Sequence, residues 1–472
     1  MGAARRIETI WKWLSTCVVF FSLLCTVTNF VPLSVSYAVL LPALPFLLYR
    51  AYKRKRLTPL HVWLLIVYAY FAFCTLRFDA GSFFSYAFYR RDGSFFPLFV
   101  PILLFSLMEW TVTPTQMVKA FTIFASALNL LLLVWRYLLP ASYPFIIEGR
   151  LFFSLFESHN GAGGFLLGLS CCAFGLFFTQ RGARRKLLWG TALAFDLLGL
   201  FMTDSRGSTL GAVGIVFALA WLLLKDRGCF KRSKIMANLD ILVFLSILAC
   251  FMVIIGIVYS ALTPMDVYET CILNDDYYAE LPTKLQDTAA SQKISWMLND
   301  GLTRSGTIID RLFFLWPRAM DLFMKSPIVG MGTGSYNDLR VTGKLSPSIS
   351  TGQYTFAGRP GLVMKVVNDN VINSSAHAHN SYLHVMAENG ILGLLLILLL
   401  CFQLRKTILA LPNPALRLSL YACMVGFLIA SFFENRMFAP AQMLPFVLVL
   451  GIAMAETPLA AKNRAETPEP AA

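Results

Sequence analysis

The chain has 472 residues, of which 57% are hydrophobic and only 14% charged, and its mean hydropathy is +0.64. A soluble domain carries about 25% charged residues, so this composition excludes one and indicates an integral membrane protein. The formal net charge of +14 does not point to nucleic acid, because much of it lies in short loops between apolar segments, where membrane topology explains it.

Met1-Gly2-Ala3-Ala4-Arg5-Arg6 gives a basic start, and the apolar stretch from Leu14 to Phe30 is followed at once by another. This predicts a retained first helix, not a cleaved signal. Apolar segments at 14–31, 33–49, 60–76, 95–110, 119–139, 162–179, 187–203, 208–224, 239–262, 385–402, 418–433 and 441–456 predict about twelve spans of bilayer length. Pro32, Pro42 and Pro45 blur the bounds of the second segment. With the N-terminus in the cytoplasm, the basic loops Arg50 to Arg56, Arg181 to Lys186, Lys225 to Lys234 and Arg405-Lys406 all fall inside. Both termini are then cytoplasmic, and the one long polar segment, 263–384, falls on the opposite side, which in a Gram-negative cell is the periplasm.

The expected fold class is an all-α integral membrane protein with about twelve transmembrane helices. It divides into an N-terminal bundle (1–262), a periplasmic loop containing short helices (263–384), C-terminal helices (385–456) and a disordered tail (457–472) rich in Ala, Pro and Glu. Most of the ten cysteines, including Cys171-Cys172, lie in apolar spans and read as small buried hydrophobes. Only Cys271 lies in 263–384, so that segment has no internal disulfide.

Polar residues gather at the outer ends of spans. Arg150, in Glu148-Gly149-Arg150, precedes Ser158-His159-Asn160 and the next span, and Arg206 lies in the short turn Thr203-Asp204-Ser205-Arg206-Gly207. Arg436 follows Glu434-Asn435 on the same side. An arginine near a bilayer snorkels to lipid phosphate or takes a partner or a function. Asp196, inside an apolar span, calls for an intramembrane partner.

From Ile308 to Lys325 the chain carries Arg311, Arg318 and Lys325 at seven-residue intervals, which puts them on one helical face. Pro317 bends that helix or marks its break. Two readings fit: an interfacial helix whose cations snorkel, as suits Lys325, or a clamp in which Arg311 and Arg318 hold a pyrophosphate. Pro327-Ile328-Val329-Gly330-Met331-Gly332-Thr333-Gly334 reads as a tight turn; alternate glycines also let backbone N–H groups approach phosphate, but no strand–helix unit supports a nucleotide loop. Residues 340–375, rich in Ser, Thr, Gly and Asn, read as loop.

Next comes Ala378-His379-Asn380-Ser381-Tyr382, in which His379-Asn380 is followed after nine residues by Gly390-Ile391-Leu392-Gly393 and an apolar run to Cys401. His377, His379 and His384 are three of the five histidines in the chain. The pair His377-x-His379 admits a metal site, a helix-capping role, or general base catalysis at the mouth of a span. No acidic or Cys ligand at a supporting spacing favours the metal. Asn380 either orients the histidine or binds a sugar hydroxyl.

Four patterns occur in order: the Ser205-Arg206 turn, Arg311 with Trp316, Pro327…Gly330-x-Gly332, and His379-Asn380…Gly390-x-x-Gly393. Together they resemble the O-antigen ligase and polymerase (Wzy_C) superfamily. The resemblance implies a GT-C-like, metal-independent glycosyltransferase without cofactor, working at the periplasmic face of the inner membrane. It implies a glycan moved from undecaprenyl pyrophosphate to a sugar hydroxyl on lipid A–core, with membrane lipids as surroundings and no nucleic acid. His379 matches the family's catalytic histidine; Arg206 and Arg311 match arginines expected at the pyrophosphate. Arg318, Arg150, Asn380, His377 and Arg436 are further candidates for substrate binding. A repeat-unit polymerase, a protein O-oligosaccharyltransferase and, from another class, a non-enzymatic transporter or flippase remain as alternatives.

Overall fold

The structure is a computed structural model. It describes chiefly residues 43–53, 57–78, 113–142, 159–229, 236–262, 315–337, 377–438 and 442–454, with Arg311, parts of 102–107 and short strand segments in 146–151 and 344–373. The helices are α1 (Ala43–Lys53), α2 (Pro59–Phe78), α3 (Pro114–Leu138), α4 (His159–Thr179), α5 (Ala183–Met202), α6 (Arg206–Asp226), α7 (Leu239–Leu262), α8 (Trp316–Lys325), α9 (Ser381–Leu409), α10 (Pro414–Ala430) and α11 (Pro445–Met454). Among the described residues, α2, α3, α4, α6, α7 and α9 are long and apolar enough to cross a membrane. The protein is therefore a helical multi-pass membrane protein. The expected segments from 60–76 onward, 95–110 apart, each meet a helix; 14–31 and the tail 457–472 lie outside the described residues.

Two compact units divide the chain. One comprises residues 1–69, 87–223 and 397–472. Within it α4 packs on α5 and α10, and α3 on α5. Helix starts are written locally: Thr113 and Gln116 form a reciprocal capping box at α3, and Asn413 Oδ1 accepts the N–H groups of Ala415 and Leu416 at α10. Small residues bring helices close where lipid gives no hydrophobic drive. A Cβ on Gly211 of α6 would stand 2.6 Å from the Gly426 carbonyl oxygen of α10.

Asp196 finds its partners in this unit. Fully buried on α5, it accepts from Ser126 Oγ at 2.8 Å and from Asn129 Nδ2 at 3.3 Å, both on α3. Asn129 Nδ2 also donates to the Phe195 carbonyl at 2.9 Å.

The other unit comprises residues 70–86 and 224–396. Its core joins Ile255 of α7, Leu315, Trp316, Ala319 and Leu322 at α8, Tyr336, and Ala378, Leu383 and Ala387 at α9. Phe251 meets the Trp316 ring edge-on at 5.3 Å. Within the expected helix from Ile308 to Lys325, α8 starts at Trp316 with Pro317 in its first turn, where a missing N–H costs nothing; 308–310 and 312–314 lie outside the described residues. Arg311 and Leu315 lie before it in π-helical backbone.

Helix α9 is broken at Gly390, whose φ of 66° and ψ of −171° suit glycine alone. The break frees backbone groups, and residues 327–332 take them up. Met331 and Gly332 donate N–H to the carbonyls of Ala387 and Glu388 at 3.0 and 2.7 Å; the carbonyls of Pro327 and Ile328 accept from Ile391 and Leu392 at 2.9 and 3.1 Å. At Gly330, with φ 71°, a Cβ would stand 2.3 Å from Asn389 N. The glycine-rich stretch is thus a turn docked on α9.

One expectation needs correction. Within 340–375, read as loop, two antiparallel hairpins form, Lys344–Ser348 with Gln353–Ala357 and Met364–Val367 with Asn370–Asn373; a third, minimal pair joins Ile146–Ile147 and Arg150–Leu151. The polar composition hid short β-branched and aromatic runs, such as Tyr354-Thr355-Phe356 and Val371-Ile372, separated by turn residues.

Gly330→Ala and Gly390→Ala are each expected to destabilise by more than about 1 kcal/mol, because alanine disfavours left-handed backbone and meets the docked chain. A lowered melting temperature of the purified protein in detergent checks this. Asn129→Leu, which leaves Asp196 with Ser126 alone, should cost about 0.5–2 kcal/mol in the same assay, more than Asp196→Asn, which keeps both partners.

Candidate active site

His379 stands at the entrance to α9, in left-handed backbone with φ 48°. Histidine visits this region rarely, and holding it there costs about 1–3 kcal/mol. The surrounding structure over-determines it. Ala378 and Asn380, on either side, are fully buried, while His379 itself is half-buried. Asn380 Oδ1 accepts the Leu383 N–H at 2.9 Å and the Asn380 carbonyl accepts the His384 N–H at 3.0 Å, so Asn380 caps the helix. The His379 N–H donates to His377 Nδ1 at 3.2 Å, and the two rings meet edge-on at 4.4 Å. A flanking pair of buried residues thus pins the backbone and leaves an imidazole partly open. Among the described residues, no three His, Cys, Asp or Glu side chains gather as a metal set would.

Below this entrance α9 carries a second polar layer. Glu388 is buried, and its Oε1 accepts the N–H groups of Gly334 at 2.9 Å and Tyr336 at 3.1 Å; Oε2 lies 3.4 Å from His384 Nε2. The Tyr336 hydroxyl donates to the Leu315 carbonyl at 3.0 Å, and its ring packs against His384. Asn389 Nδ2 donates to Thr333 Oγ1 at 3.0 Å. Tyr70 donates to the Asn389 carbonyl at 2.8 Å, and Arg77 donates to the Gly330 carbonyl. The segment bearing Arg311 and the segment bearing His379 therefore share one core and one hydrogen-bond chain. Sequence reading passed over Tyr336; the signal available was a tyrosine just after a run of turn glycines.

The other unit holds the Ser205-Arg206 turn. Asp204 is left-handed, with φ 57°, and Ser205 leads into α6, its carbonyl accepting the Thr209 N–H at 2.9 Å. Arg206, half-buried, is the first residue of the helix. A cation at a helix N-terminus opposes the dipole, so this placement gives the helix nothing; the arginine and the helix end together attract an anion.

Two further candidates are bonded to protein groups in this structure. Asn380 is fully buried and spent on capping α9. Arg436 is also fully buried, because its guanidinium is needed inside: it donates to Ser205 Oγ and Ser208 Oγ at 2.7 Å each, to the Asn160 carbonyl and to Gln442 Oε1. Gly163 and Gly164 make room, since a Cβ on them would stand 2.5 Å from Ser205 Cβ and 2.6 Å from the Arg436 guanidinium. Arg436 thus pins the turn that presents Arg206. The side chains of Arg150 and Arg318 lie outside the described residues.

No curated protein matches the chain. Residues 191–398 match the family model Wzy_C, described as O-antigen ligase, a range that holds Arg206, Arg311, Arg318, His377 and His379 and leaves out Arg150 and Arg436. Over residues 191–398 the chain is thus similar to the O-antigen ligase family.

Proposed function

We propose that the protein is an inverting, metal-independent glycosyltransferase that ligates an undecaprenyl-pyrophosphate-linked O-antigen glycan onto a sugar hydroxyl of lipid A–core. Within the superfamily's ligase and polymerase chemistry, this reading takes lipid A–core as acceptor and the periplasmic face of the inner membrane as the place of reaction. It retains a GT-C-like fold of about twelve spans. The observation that supports it most directly is His379 itself: half-buried between two fully buried neighbours, held in costly backbone at the mouth of a membrane helix.

The chemistry follows from the groups. A sugar hydroxyl is a weak nucleophile, and a ring nitrogen of His379 takes its proton as the new oxygen–carbon bond forms at the anomeric centre. The bond from that carbon to the pyrophosphate oxygen breaks on the opposite face, so configuration inverts. Undecaprenyl pyrophosphate leaves with the electron pair, and Arg206 and Arg311 stabilise the growing charge. His377, whose Nδ1 accepts the His379 N–H, steadies the base; Arg318 and Arg150 are retained as candidates for substrate contact.

His379→Ala is expected to lower ligation by about 10²–10⁴-fold while changing donor affinity by less than about twofold. Arg206→Ala and Arg311→Ala should weaken donor binding and turnover together, and lysine at either position should restore only part. Ligation should persist in EDTA; loss reversed by added zinc would establish the metal reading of His377 and His379. Near-normal ligation by His379→Ala would overturn the proposal, and activity on a second lipid-linked glycan but not on lipid A–core would make the enzyme a polymerase. Reporter fusions at Asp287 and after Glu456 should give opposite compartment signals; matching signals would remove the periplasmic placement.

A further inference from the structure

Glu388 lies nine residues beyond His379, and its carboxylate is buried where an ionisable group is costly. The docked turn does not require it. Residues 327–332 are held to α9 by backbone hydrogen bonds on both sides of Gly390, and Thr333 by Asn389. What Glu388 adds is the far end of that turn, because Oε1 gathers the N–H groups of Gly334 and Tyr336. Tyr336 is fully buried, and its hydroxyl reaches the carbonyl of Leu315 at 3.0 Å. Leu315 lies four residues after Arg311, and each of the two has π-helical backbone, a geometry recurrent at functional sites.

We propose that Glu388 is a positioning residue for Arg311: from α9 it fixes Tyr336, and Tyr336 fixes the backbone that carries the arginine. This rests on the reading of Arg311 as a pyrophosphate ligand. The chain of contacts then sets the donor-binding arginine against the helix that begins at His379. Bidentate recognition of phosphate tolerates little displacement, so loosening Leu315 acts on donor affinity. His384 sits 3.4 Å from Oε2 and stacks edge-on with Tyr336, closing the carboxylate's remaining side.

The test measures binding of undecaprenyl pyrophosphate to the full-length protein in nanodiscs, for variants whose melting temperature is recorded alongside. Tyr336→Phe, which removes one oxygen and keeps the ring, should raise Kd about fivefold or more, and Glu388→Ala about tenfold. Glu388→Gln should recover most of the affinity, since an amide oxygen still accepts both N–H groups. In the Arg311→Ala background the Tyr336→Phe effect should shrink to less than about twofold, because the arginine it places is gone. Equal effects of Tyr336→Phe with and without Arg311, or none in the wild type, would overturn the inference while leaving Arg311's own role intact. An Arg311→Ala protein that binds normally would instead overturn the reading of Arg311 and this inference with it.

Discussion

A membrane helix that breaks must hand its freed backbone groups to a partner other than lipid. At Gly390 the partner is the chain from Pro327 to Gly332, which donates to the carbonyls above the break and accepts from the N–H groups below it. Much else follows from this exchange. It requires glycine on both surfaces, since a Cβ at Gly330 or Gly390 would stand 2.3 Å from backbone of the other. It docks the turn beside Glu388 and Asn389, and so brings Tyr336 into the core that also holds Ala378 and Leu383. A glycine pattern that reads on its own as phosphate-binding is here occupied by protein backbone.

The buried polar groups divide the labour with the half-exposed ones. Asp196 is matched by Ser126 and Asn129, Glu388 by two backbone N–H groups and His384, and Arg436 by hydroxyls, a carbonyl and an amide. In a low-dielectric interior such groups persist only when their hydrogen-bonding capacity is largely used. His379, Arg206 and Arg311 are half-buried. The first sits in, and the second two residues after, left-handed non-glycine backbone, and strain of this kind collects where geometry serves a reaction. Buried groups hold turns, and the turns present these half-buried side chains.

Composition and hydropathy determined the class, because a bilayer demands long apolar runs and leaves little else able to cross it. Apolar segments read from the chain coincide with helices α2 to α7 and α9 to α11, and the His379, Arg311 and Arg206 patterns lie in the region that matches the O-antigen ligase family. Spacing also placed Pro327 to Gly334 in a turn, since alternate glycines next to a proline end regular structure.

Roles that depend on which distant residue comes near were beyond the chain alone. That Asn380 caps a helix and Arg436 pins a turn is visible only in the folded chain. Tyr336 is marked locally only by the turn glycines before it, and its use arises from a hydroxyl reaching Leu315, twenty-one residues earlier in the chain. Hairpins in 344–373 depend likewise on pairing across turns that composition does not specify. Local sequence sets what a residue is able to donate, accept or bury; only the folded chain decides which partner arrives to use it.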